Sequence, residues 1–463
     1  MSGITNEMDQ LFQIRPQMKN IFDFNGTLRD YLHGIQTSIP HNSEKETNPL
    51  TSTIIHTINK ETQRLLPNVS APISLENQLS TFPIVSYADH HSLLNYALLY
   101  NSNLLYTEVI KNLKLPYAVV FASGSIPMVN KCHPRGFYFK KEKFNFFGEK
   151  QSKLPVFLFE GKLNSGNSKD ITTLLTHSEN SLTLEEKKFL EYLFFDCLEI
   201  EKVSKNYESF SDQLSYLNYN LWKHYFDSSI RDSLPHLIYL QSNPIISELL
   251  IDQINDPNSL ISLILFDPKI RRKILDNFSE IPCCWGENMG SHLFWGIIER
   301  RGKTRVIALT VNESSNALIA DDFHVPLEKE SIIDALQTKK IYQTSFFDLL
   351  LMTFMGGYLT LGGFNQLEYL PSMQQTHVQT LRQIGLNDTA DRFATRVTNQ
   401  LICGLFPYSF DSGIDLIWHY NSRNGEFNGN LDRGLTQEDI DQTLNMKLKD
   451  MIAAAIDIIM QNT

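Results

Sequence analysis

A short apolar run, a polar turn, a long helix-compatible segment and a second apolar run follow one another between residues 82 and 124. The first run covers residues 82–87 and the second covers residues 115–124, and both are rich in residues that favour strands. Strand, helix and strand in this order form the βαβ unit from which parallel sheets are built. The pattern therefore predicts an α/β fold with a doubly wound, parallel-rich sheet and a right-handed connection between these two strands.

The spacing of apolar residues predicts further elements along the chain. Alternation of apolar and polar positions is typical of strands, and apolar positions three or four apart are typical of helices. The predicted elements are a hairpin over residues 136–148, a strand over 154–160, helices over 183–225, a strand over 234–244 before a helix over 245–254, and a hairpin over 292–311 that turns at Arg301-Gly302-Lys303.

Three regions are predicted from these elements. Residues 1–75 form a helical region with a polar loop, residues 76–375 form the core with a helical insertion around 180–230, and residues 376–463 are helical. Near the C-terminus, apolar residues recur three or four apart after the predicted helix cap Thr436, and this spacing predicts a helix over 435–460. We expect its stripe to pack on the chain's own core and the protein to be a monomer; the stripe consists of Ile440, Leu444, Leu448, Ile452, Ala455 and Ile459.

Composition narrows the class of protein. Of the 463 residues 42% are hydrophobic and 20% are charged, which is typical of a folded globular chain. The formal net charge of −11 argues against nucleic acid as a partner, because nucleic-acid binding needs a basic surface. The densest basic clusters, residues 140–143 and 271–273, are interpreted as solvated faces.

The termini and the cysteines bear on the compartment. No apolar run approaches the roughly 20 residues needed to cross a bilayer, and the first residues lack the basic and apolar regions of a signal peptide. The five cysteines are an odd set without the spacing of a disulfide scaffold or a zinc site. We therefore expect a cytoplasmic protein with no membrane partner and no metal ligands.

Asp89, His90 and His91 are the strongest candidates for chemistry, because they follow the first predicted strand directly. Asp89 can cap a helix that starts near His91, which is a structural role. The functional alternative is that an anionic ligand binds at the N-terminus of that helix, and that His90 or His91 acts as a general base beside it. An Asp-His-His triplet also ends a strand in manganese-dependent phosphoesterases, but the Asp-x-Asp that such sites need upstream is missing here.

Two further loops could contact a ligand. Ser123, Gly124 and Ser125 follow the second strand and resemble a turn that binds phosphate through its backbone. A second glycine site, Gly362-Gly363, precedes a predicted helix. Four side chains from the segments after these loops are predicted to bind substrate, with Arg135 as a clamp for carboxylate or phosphate: His133, Arg135, Asn365 and Glu368.

Five segments follow one another in the order and spacing of a known family. The turn at 89–91 stands where that family has a glycine–glutamine–glutamine turn, and Leu99-Tyr100 matches its following helix. The remaining matching segments are residues 209–212, 237–243, 290–295 and 362–369. Over roughly residues 80–375 the chain thus resembles the cysteine-adding enzymes of bacillithiol biosynthesis.

The resemblance implies a Rossmann-like core and a cleft for a small polar or nucleotide-like ligand, with a nucleotide as the candidate cofactor. It also implies that Tyr100, Asn101 and Tyr369 contact the substrate. Ser125-Ile-Pro-Met128 replaces the family's acidic cluster, and residues 376–463 are too short for its coiled coil. We therefore expect a small-molecule ligase or transferase with a changed substrate. A non-catalytic binding protein and a metal-dependent phosphoesterase remain alternatives.

Overall fold

A mixed α/β architecture is seen in the computed structural model, which describes residues 10–13, 15–40, 49–69, 72–128, 136–147, 153–163, 171–176, 182–279, 281 and 291–452. Its strands, in chain order, are β1 (Ile84–Ser86), β2 (Tyr117–Ala122), β3 (Gly136–Phe139), β4 (Glu142–Asn145), β5 (His236–Gln241), β6 (Phe294–Arg300), β7 (Lys303–Ala308), β8 (Thr310–Asn312), β9 (Ala317–Ala320), β10 (Phe323–Pro326), β11 (Ile341–Gln343), β12 (Leu359–Gly363), β13 (Leu401–Cys403), β14 (Ser422–Arg423) and β15 (Glu426–Phe427).

Helices surround these strands. The α-helices are Pro16–Phe22, Leu28–Thr37, Pro49–Leu65, Pro72–Thr81, Ala97–Asn112, Ile171–Thr176, Leu184–Glu191, Ile200–Asn206, Phe210–Trp222, Ser242–Asn255, Leu260–Phe266, Pro268–Phe278, Lys329–Gln337, Ser345–Leu349, Phe364–Gln383, Asn387–Ala394, Gly413–Asn421 and Gln437–Leu444. Short 3-10 turns occur at Val156–Leu158, Lys223–Tyr225 and Arg231–Ser233, and π-helical turns at Tyr192–Cys197 and Leu350–Met355.

The central sheet has five parallel strands in the order β13-β12-β1-β2-β5. β2 is apolar throughout because both of its faces are buried. Ala118 and Val120 pack into the hydrophobic core on one face of the sheet, and Val119 and Phe121 pack into the core on the other. Helix Ala97–Asn112 connects β1 to β2, so the predicted α/β fold and the parallel pairing of its first two strands are confirmed.

Smaller antiparallel units surround the central sheet. β3 and β4 form the predicted hairpin, and β6 and β7 form the other one, joined at Arg301 and Gly302. Both turn residues have positive φ angles, of 55° and 66°, as the tightest hairpin turns require. β11 pairs with the outer side of β6, which gives a three-stranded sheet in the order β11-β6-β7.

Two predicted elements differ from the structure. The helix after β1 begins at Ala97 instead of near His91, because residues 91–96 form a loop. The predicted strand over 154–160 is the 3-10 turn Val156–Leu158, which follows Pro155. Proline donates no hydrogen bond to a sheet, so it favours a turn over a strand interior at this position.

The C-terminal segment begins as predicted. Thr436 caps helix Gln437–Leu444, and Asp439 bonds back to complete a capping box. This helix ends at Leu444, and a further helical stretch covers residues 448–452, where the described part of the chain ends, so the helix predicted over 435–460 is interrupted at residues 445–447. Four residues of the predicted stripe are buried in the core, namely Ile440, Leu444, Leu448 and Ile452, whereas Ala455 and Ile459 lie outside the described residues. The monomeric state stays a prediction.

Among the helices that the structure describes, none is both long enough and apolar enough to cross a membrane.

Candidate functional site

The strand order of the central sheet reverses at β1. The chain adds β2 and β5 on one side of β1 and then β12 and β13 on the other. In open parallel sheets, ligands bind outside the carboxyl ends of the strands, close to such a reversal. The loops after the central strands therefore define the region in which a site is expected.

The two loops predicted from sequence do meet at this edge. The N–H of Ser123 donates to the carbonyl of Asp89 at 2.8 Å, and the N–H of His91 donates to the carbonyl of Ser123 at 2.9 Å. These two bonds extend the pairing of β1 and β2 past their ends. The prediction that residues 89–91 and 123–125 lie together at the carboxyl ends of neighbouring strands is therefore confirmed.

The carboxyl group of Asp89 is buried against the crossover helix. Its Oδ2 accepts from Asn103 Nδ2 at 2.7 Å, and Ser102 Oγ lies 3.4 Å from Oδ1. Burial raises the pKa of Asp89 to about 7, although these partners oppose the shift. The sequence predicted that Asp89 caps the N-terminus of the helix. The side chain instead accepts hydrogen bonds from residues in the middle of the helix and so connects the helix to the end of β1.

His91 is also buried. Its Nε2 lies 2.9 Å from the carbonyl oxygen of Ser211, so this nitrogen carries the proton, and its ring stacks on Tyr239 at 5.6 Å. Burial lowers the pKa of both His90 and His91 to about 4. Both imidazoles are therefore neutral at physiological pH, and their proposed role as general base stays a prediction.

Tyr100 and Asn101 hold a neighbouring loop. The Tyr100 hydroxyl donates to the carbonyl of Phe410 at 3.0 Å. Asn101 both donates to the carbonyl of Tyr408 at 3.1 Å and accepts from its N–H at 3.0 Å. These contacts fix the segment before helix Gly413–Asn421, and substrate contact by the two side chains stays a prediction.

Asn365 and Glu368 bind the N-terminal region. Glu368 accepts backbone N–H groups from the first turn of helix Pro16–Phe22, the shorter bond measuring 3.1 Å. Asn365 Oδ1 accepts from Arg15 Nη1 at 2.7 Å. A carboxylate is favourable at a helix N-terminus, so this arrangement secures the N-terminal helices to the core.

Three more residues were predicted to bind substrate, namely His133, Arg135 and Tyr369. Tyr369 lies close enough to Tyr87 to contribute to the raised pKa of that phenol. His133 and Arg135 lie outside the described residues.

A cleft of about 480 Å³ opens beside the carboxyl end of β5. Its walls come from the first three turns of helix Ser242–Asn255, from β11, and from the end of helix Lys329–Gln337 with the residues after it. Pockets that bind small molecules in proteins have volumes of roughly 300–1,000 Å³. The lining residues are Phe157, Gln241, Asn243, Pro244, Ser247, Glu248, Ile251, Leu336, Gln337, Lys339, Ile341, Tyr342 and Gln343.

Buried amide side chains connect this cleft to the predicted Ser123–Ser125 turn. Gln241 Oε1 accepts from the hydroxyl of Ser211 at 2.5 Å, which fixes the orientation of its amide. Asn243 Nδ2 donates to Ser125 Oγ at 3.0 Å, and Gln343 Nε2 donates to the carbonyl of Asn243 at 3.2 Å. The Ser123–Ser125 turn therefore lies behind the lining of the cleft and fixes the position of Asn243 in it.

A buried acid that the sequence did not single out lies next to this network. The hydroxyl of Tyr87 donates to Asp348 Oδ2, and both side chains are buried. Burial raises the pKa of Asp348 to about 7, and the nearby side chains of Tyr87 and Gln343 only partly oppose the shift. The sequence signal for this buried acid is that Asp348 is the only charged residue in the apolar run 346–361.

No family model, curated protein or solved structure matches the chain. Within the described ranges, no three histidine, cysteine, aspartate or glutamate residues come together in a way that could hold a metal ion.

Replacing Gly124 tests how tightly the turn packs on the amides. A Cβ at this position would lie 2.4 Å from Gln241 Nε2 and 2.8 Å from Asn243 Oδ1, so the amides would have to move. We expect Gly124→Ala to lower the free energy of unfolding by about 1–3 kcal/mol in urea titrations. Gly34→Ala is the control, because a Cβ there meets nothing and a helix interior favours alanine by about 1 kcal/mol. Equal stability of the Gly124→Ala variant and the parent would contradict this packing.

Proposed function

We propose that the chain is an enzyme that joins or transfers an amine- or thiol-bearing group to a small polar substrate, and that the cleft beside β5 receives this substrate. The resemblance to the cysteine-adding enzymes implies this class of reaction. The loss of that family's acidic cluster, and the exchange of its double glutamine for two histidines, imply a changed substrate.

The observation that carries the proposal is the carboxyl group of Asp348 behind the wall of the cleft. Its pKa of about 7 lets it accept and release a proton near neutral pH, as a general base must. Gln343 lines the cleft and lies beside this carboxyl group. We propose that Asp348 takes the proton of the attacking amine or thiol as its nitrogen or sulfur bonds to the substrate, and returns that proton to the group that leaves the substrate with the bonding electron pair. In this step Tyr87 orients the carboxyl group, and Gln241 and Asn243 orient the substrate.

A second candidate function is a binding protein without catalysis. The burial of His90 and His91 favours it, because residues that the sequence suggested for catalysis are packed and neutral. If the acid–base groups of a former catalytic site have been lost, the cleft can still bind a ligand but cannot convert it.

A thermal-shift screen with nucleotides, amino acids, thiols and divalent metals separates these candidates. A ligand at 100 times its dissociation constant adds about 2.7 kcal/mol to stability, which is readily seen. Each stabilising ligand is then incubated with amines and thiols, and joined products are sought by mass spectrometry. A joined product supports the enzyme, binding without product supports the binding protein, and a response to metal alone supports the phosphoesterase.

Substitution of the proposed base gives the sharper result. We expect Asp348→Asn to lower turnover at least about a hundredfold while ligand binding persists, because the amide cannot accept the proton. Asp252→Asn is the matched control on the exposed side of helix Ser242–Asn255. His90→Asn and His91→Asn are measured alongside. Full turnover by Asp348→Asn, with loss in a histidine variant, would transfer the role of base to that histidine.

A further inference from the structure

β7 is an edge strand, and the hydrogen bonds of its neighbour show which of its backbone groups point outward. It ends the sheet β11-β6-β7 and pairs there with β6 alone. The N–H of Ile297 in β6 donates to the carbonyl of Lys340, on the side away from β7, at 2.8 Å. Ile297 and its partner Val306 are therefore a non-bonded pair of the antiparallel ladder. Because bonded and non-bonded pairs alternate, the backbone groups of Thr304, Val306 and Ala308 point away from β6.

This outer edge of β7 is open to solvent. Thr304, Val306 and Ala308 are only half-buried, and their outward N–H and C=O groups make no hydrogen bond to any other residue that the structure describes. An exposed row of such groups is a template for another extended chain. None of the six residues of β7 lines the cleft beside β5. The edge is therefore a binding feature apart from the proposed substrate site.

One face of β7 is cationic. Lys303 and Arg305 lie two residues apart, so their side chains point to the same face of the sheet. Lys303 stands directly opposite Arg300, and such a pair of like charges destabilises a hairpin. Arg300 is paired with Asp321 at 3.7 Å, whereas Lys303 and Arg305 are exposed and form no ion pair within the described ranges. Two positive charges beside the edge are thus left for a partner.

The opposite face of the same strand is apolar. Val306 and Ala308 lie on it, and their cross-strand partners in β6 are Ile297 and Trp295. All four side chains are half-buried, so part of this apolar surface remains exposed. A strand added beside β7 would meet cations on one of its faces and apolar side chains on the other. Because successive side chains of a strand alternate between the faces, acidic and apolar residues would have to alternate in that strand.

We propose that the outer edge of β7 binds an extended segment of a partner protein in which acidic residues alternate with β-branched apolar residues. The backbone of this segment pairs with Thr304, Val306 and Ala308, as in other sheets that take up an added strand, and its carboxylates meet Lys303 and Arg305. A second copy of β7 fits less well, because the cations of both copies would lie along one face of the seam. Nucleic acid offers the charge but no peptide groups to pair with a strand. The inference goes beyond the proposed function, since it concerns another surface and needs no turnover.

Calorimetry of the full chain with a capped peptide of three valines alternating with three glutamates tests the charge. A peptide with lysine in place of glutamate is the matched control. We expect the glutamate peptide to bind at least about tenfold more tightly, because only its side chains are opposite in charge to the cationic face. No binding of the glutamate peptide at millimolar concentration, or equal affinity for both peptides, would overturn the inference.

Methylation of the peptide nitrogens tests the backbone pairing. One derivative of the glutamate peptide is methylated on its valine nitrogens and the other on its glutamate nitrogens. The N–H groups of alternate residues point to opposite edges of a strand, so only one derivative loses the donors that face β7. In an antiparallel arrangement this is the valine derivative, which should bind about tenfold more weakly than the parent peptide. Loss in the glutamate derivative alone indicates a parallel arrangement and also supports pairing, whereas equal affinities of the two derivatives contradict it.

Three variants test the protein side. The double variant Lys303→Glu with Arg305→Glu should prefer the lysine peptide, which reverses the preference of the parent protein. The matched control is Arg272→Glu with Lys273→Glu, which makes the same change of charge at exposed positions of a helix and should keep the parent's preference. Val306→Pro removes one outward N–H at a site where an edge strand tolerates proline, and it should weaken binding of the glutamate peptide about tenfold. If Val306→Pro fails to fold, the methylated peptides decide the same question.

A competition experiment separates a peptide from nucleic acid as the partner. Oligothymidylate of about ten nucleotides, a length that single-strand sites commonly cover, is added to the complex with the glutamate peptide. We expect the peptide to stay bound when the two competitors are equal in concentration. Displacement of the peptide at that ratio would assign the cations to phosphate and overturn the inference.

Discussion

Arg271→Ala should lower the free energy of unfolding by about 3–5 kcal/mol, whereas Arg272→Ala should change it by less than about 0.5 kcal/mol. The two arginines are neighbours in helix Pro268–Phe278, but their surroundings differ completely. The side chain of Arg271 is 0% exposed, and Arg272 points to solvent.

The partners of Arg271 explain the size of the expected effect. Its Nη2 donates to Glu313 at 2.8 Å and to Asn316 at 2.9 Å, and its Nη1 donates to the carbonyl of Leu265 at 2.6 Å. Truncation leaves a cavity and removes all of these donors from groups that cannot recover them fully from water. A buried ion pair contributes little net free energy, but removing one partner costs far more than the pair contributed.

Urea titrations of the parent protein, Arg271→Ala and Arg272→Ala measure the difference in the free energy of unfolding. Arg271→Met separates the two causes, because it restores much of the packing without the charge and should fall between the parent and Arg271→Ala. Equal losses for Arg271→Ala and Arg272→Ala would contradict the buried network.

The same residue shows a limit of sequence interpretation. Residues 271–273 form a basic cluster, and the interpretation as a solvated face holds for Arg272 and Lys273 but is wrong for Arg271. Helical spacing places Arg271 and Ile274 on one side, and Ile274 is buried. The side-chain acceptors that make burial tolerable, Glu313 and Asn316, lie more than 40 residues away in sequence, so local composition could not indicate them.

The parallel core was predictable because burial on both faces leaves a continuous apolar run, as in β2. β12 was not predicted, since its sequence ends in two glycines and resembled a turn. β13 has only three residues and carries no pattern of its own. Their positions follow from pairing with β1 and with each other, which is a property of the folded chain.

The site was predictable only in part, for the same reason. The meeting of the loops after β1 and β2 follows from a general rule for parallel sheets. Tyr87 and Asp348 are 261 residues apart, and the cleft combines side chains from three separate segments, namely residue 157, residues 241–251 and residues 336–343. No local motif contains these contacts, so sequence spacing pointed to the histidines beside Asp89 instead.

Acidification from pH 6.5 to 4 should destabilise the protein strongly. Burial strongly lowers the pKa of five histidines, to about 4 for His90, His91 and His292 and to about 3 for His224 and His377, and it also lowers the pKa of His236. In this range the unfolded chain binds protons at these positions, because its histidines titrate near 6.5, whereas the folded chain does not. Because the unfolded chain binds more protons than the folded chain in this range, a fall in pH lowers the free energy of unfolding.

Two buried acids act in the opposite direction. Burial raises the pKa of Asp89 and Asp348 to about 7, so the folded chain holds protons there that the unfolded chain releases above pH 3.8. Their contribution to stability is complete below pH 3.8 and is lost as the pH rises to 7. Five histidines outweigh two acids, which leaves a net loss of about 1–4 kcal/mol per pH unit on acidification.

His377→Leu isolates one of these histidines. Its ring packs among Phe278, Phe346, Phe354 and Phe393, with centroid distances from 4.5 to 5.7 Å, so an apolar side chain suits the position. Removing this single proton site should reduce the slope of stability against pH by about 1.4 kcal/mol per pH unit between pH 6.5 and 4. His33→Asn, a substitution at an exposed histidine, is the control. Urea titrations at half-unit steps of pH measure all three slopes, and an unaltered slope for His377→Leu would mean that His377 takes up its proton equally in the folded and unfolded chains.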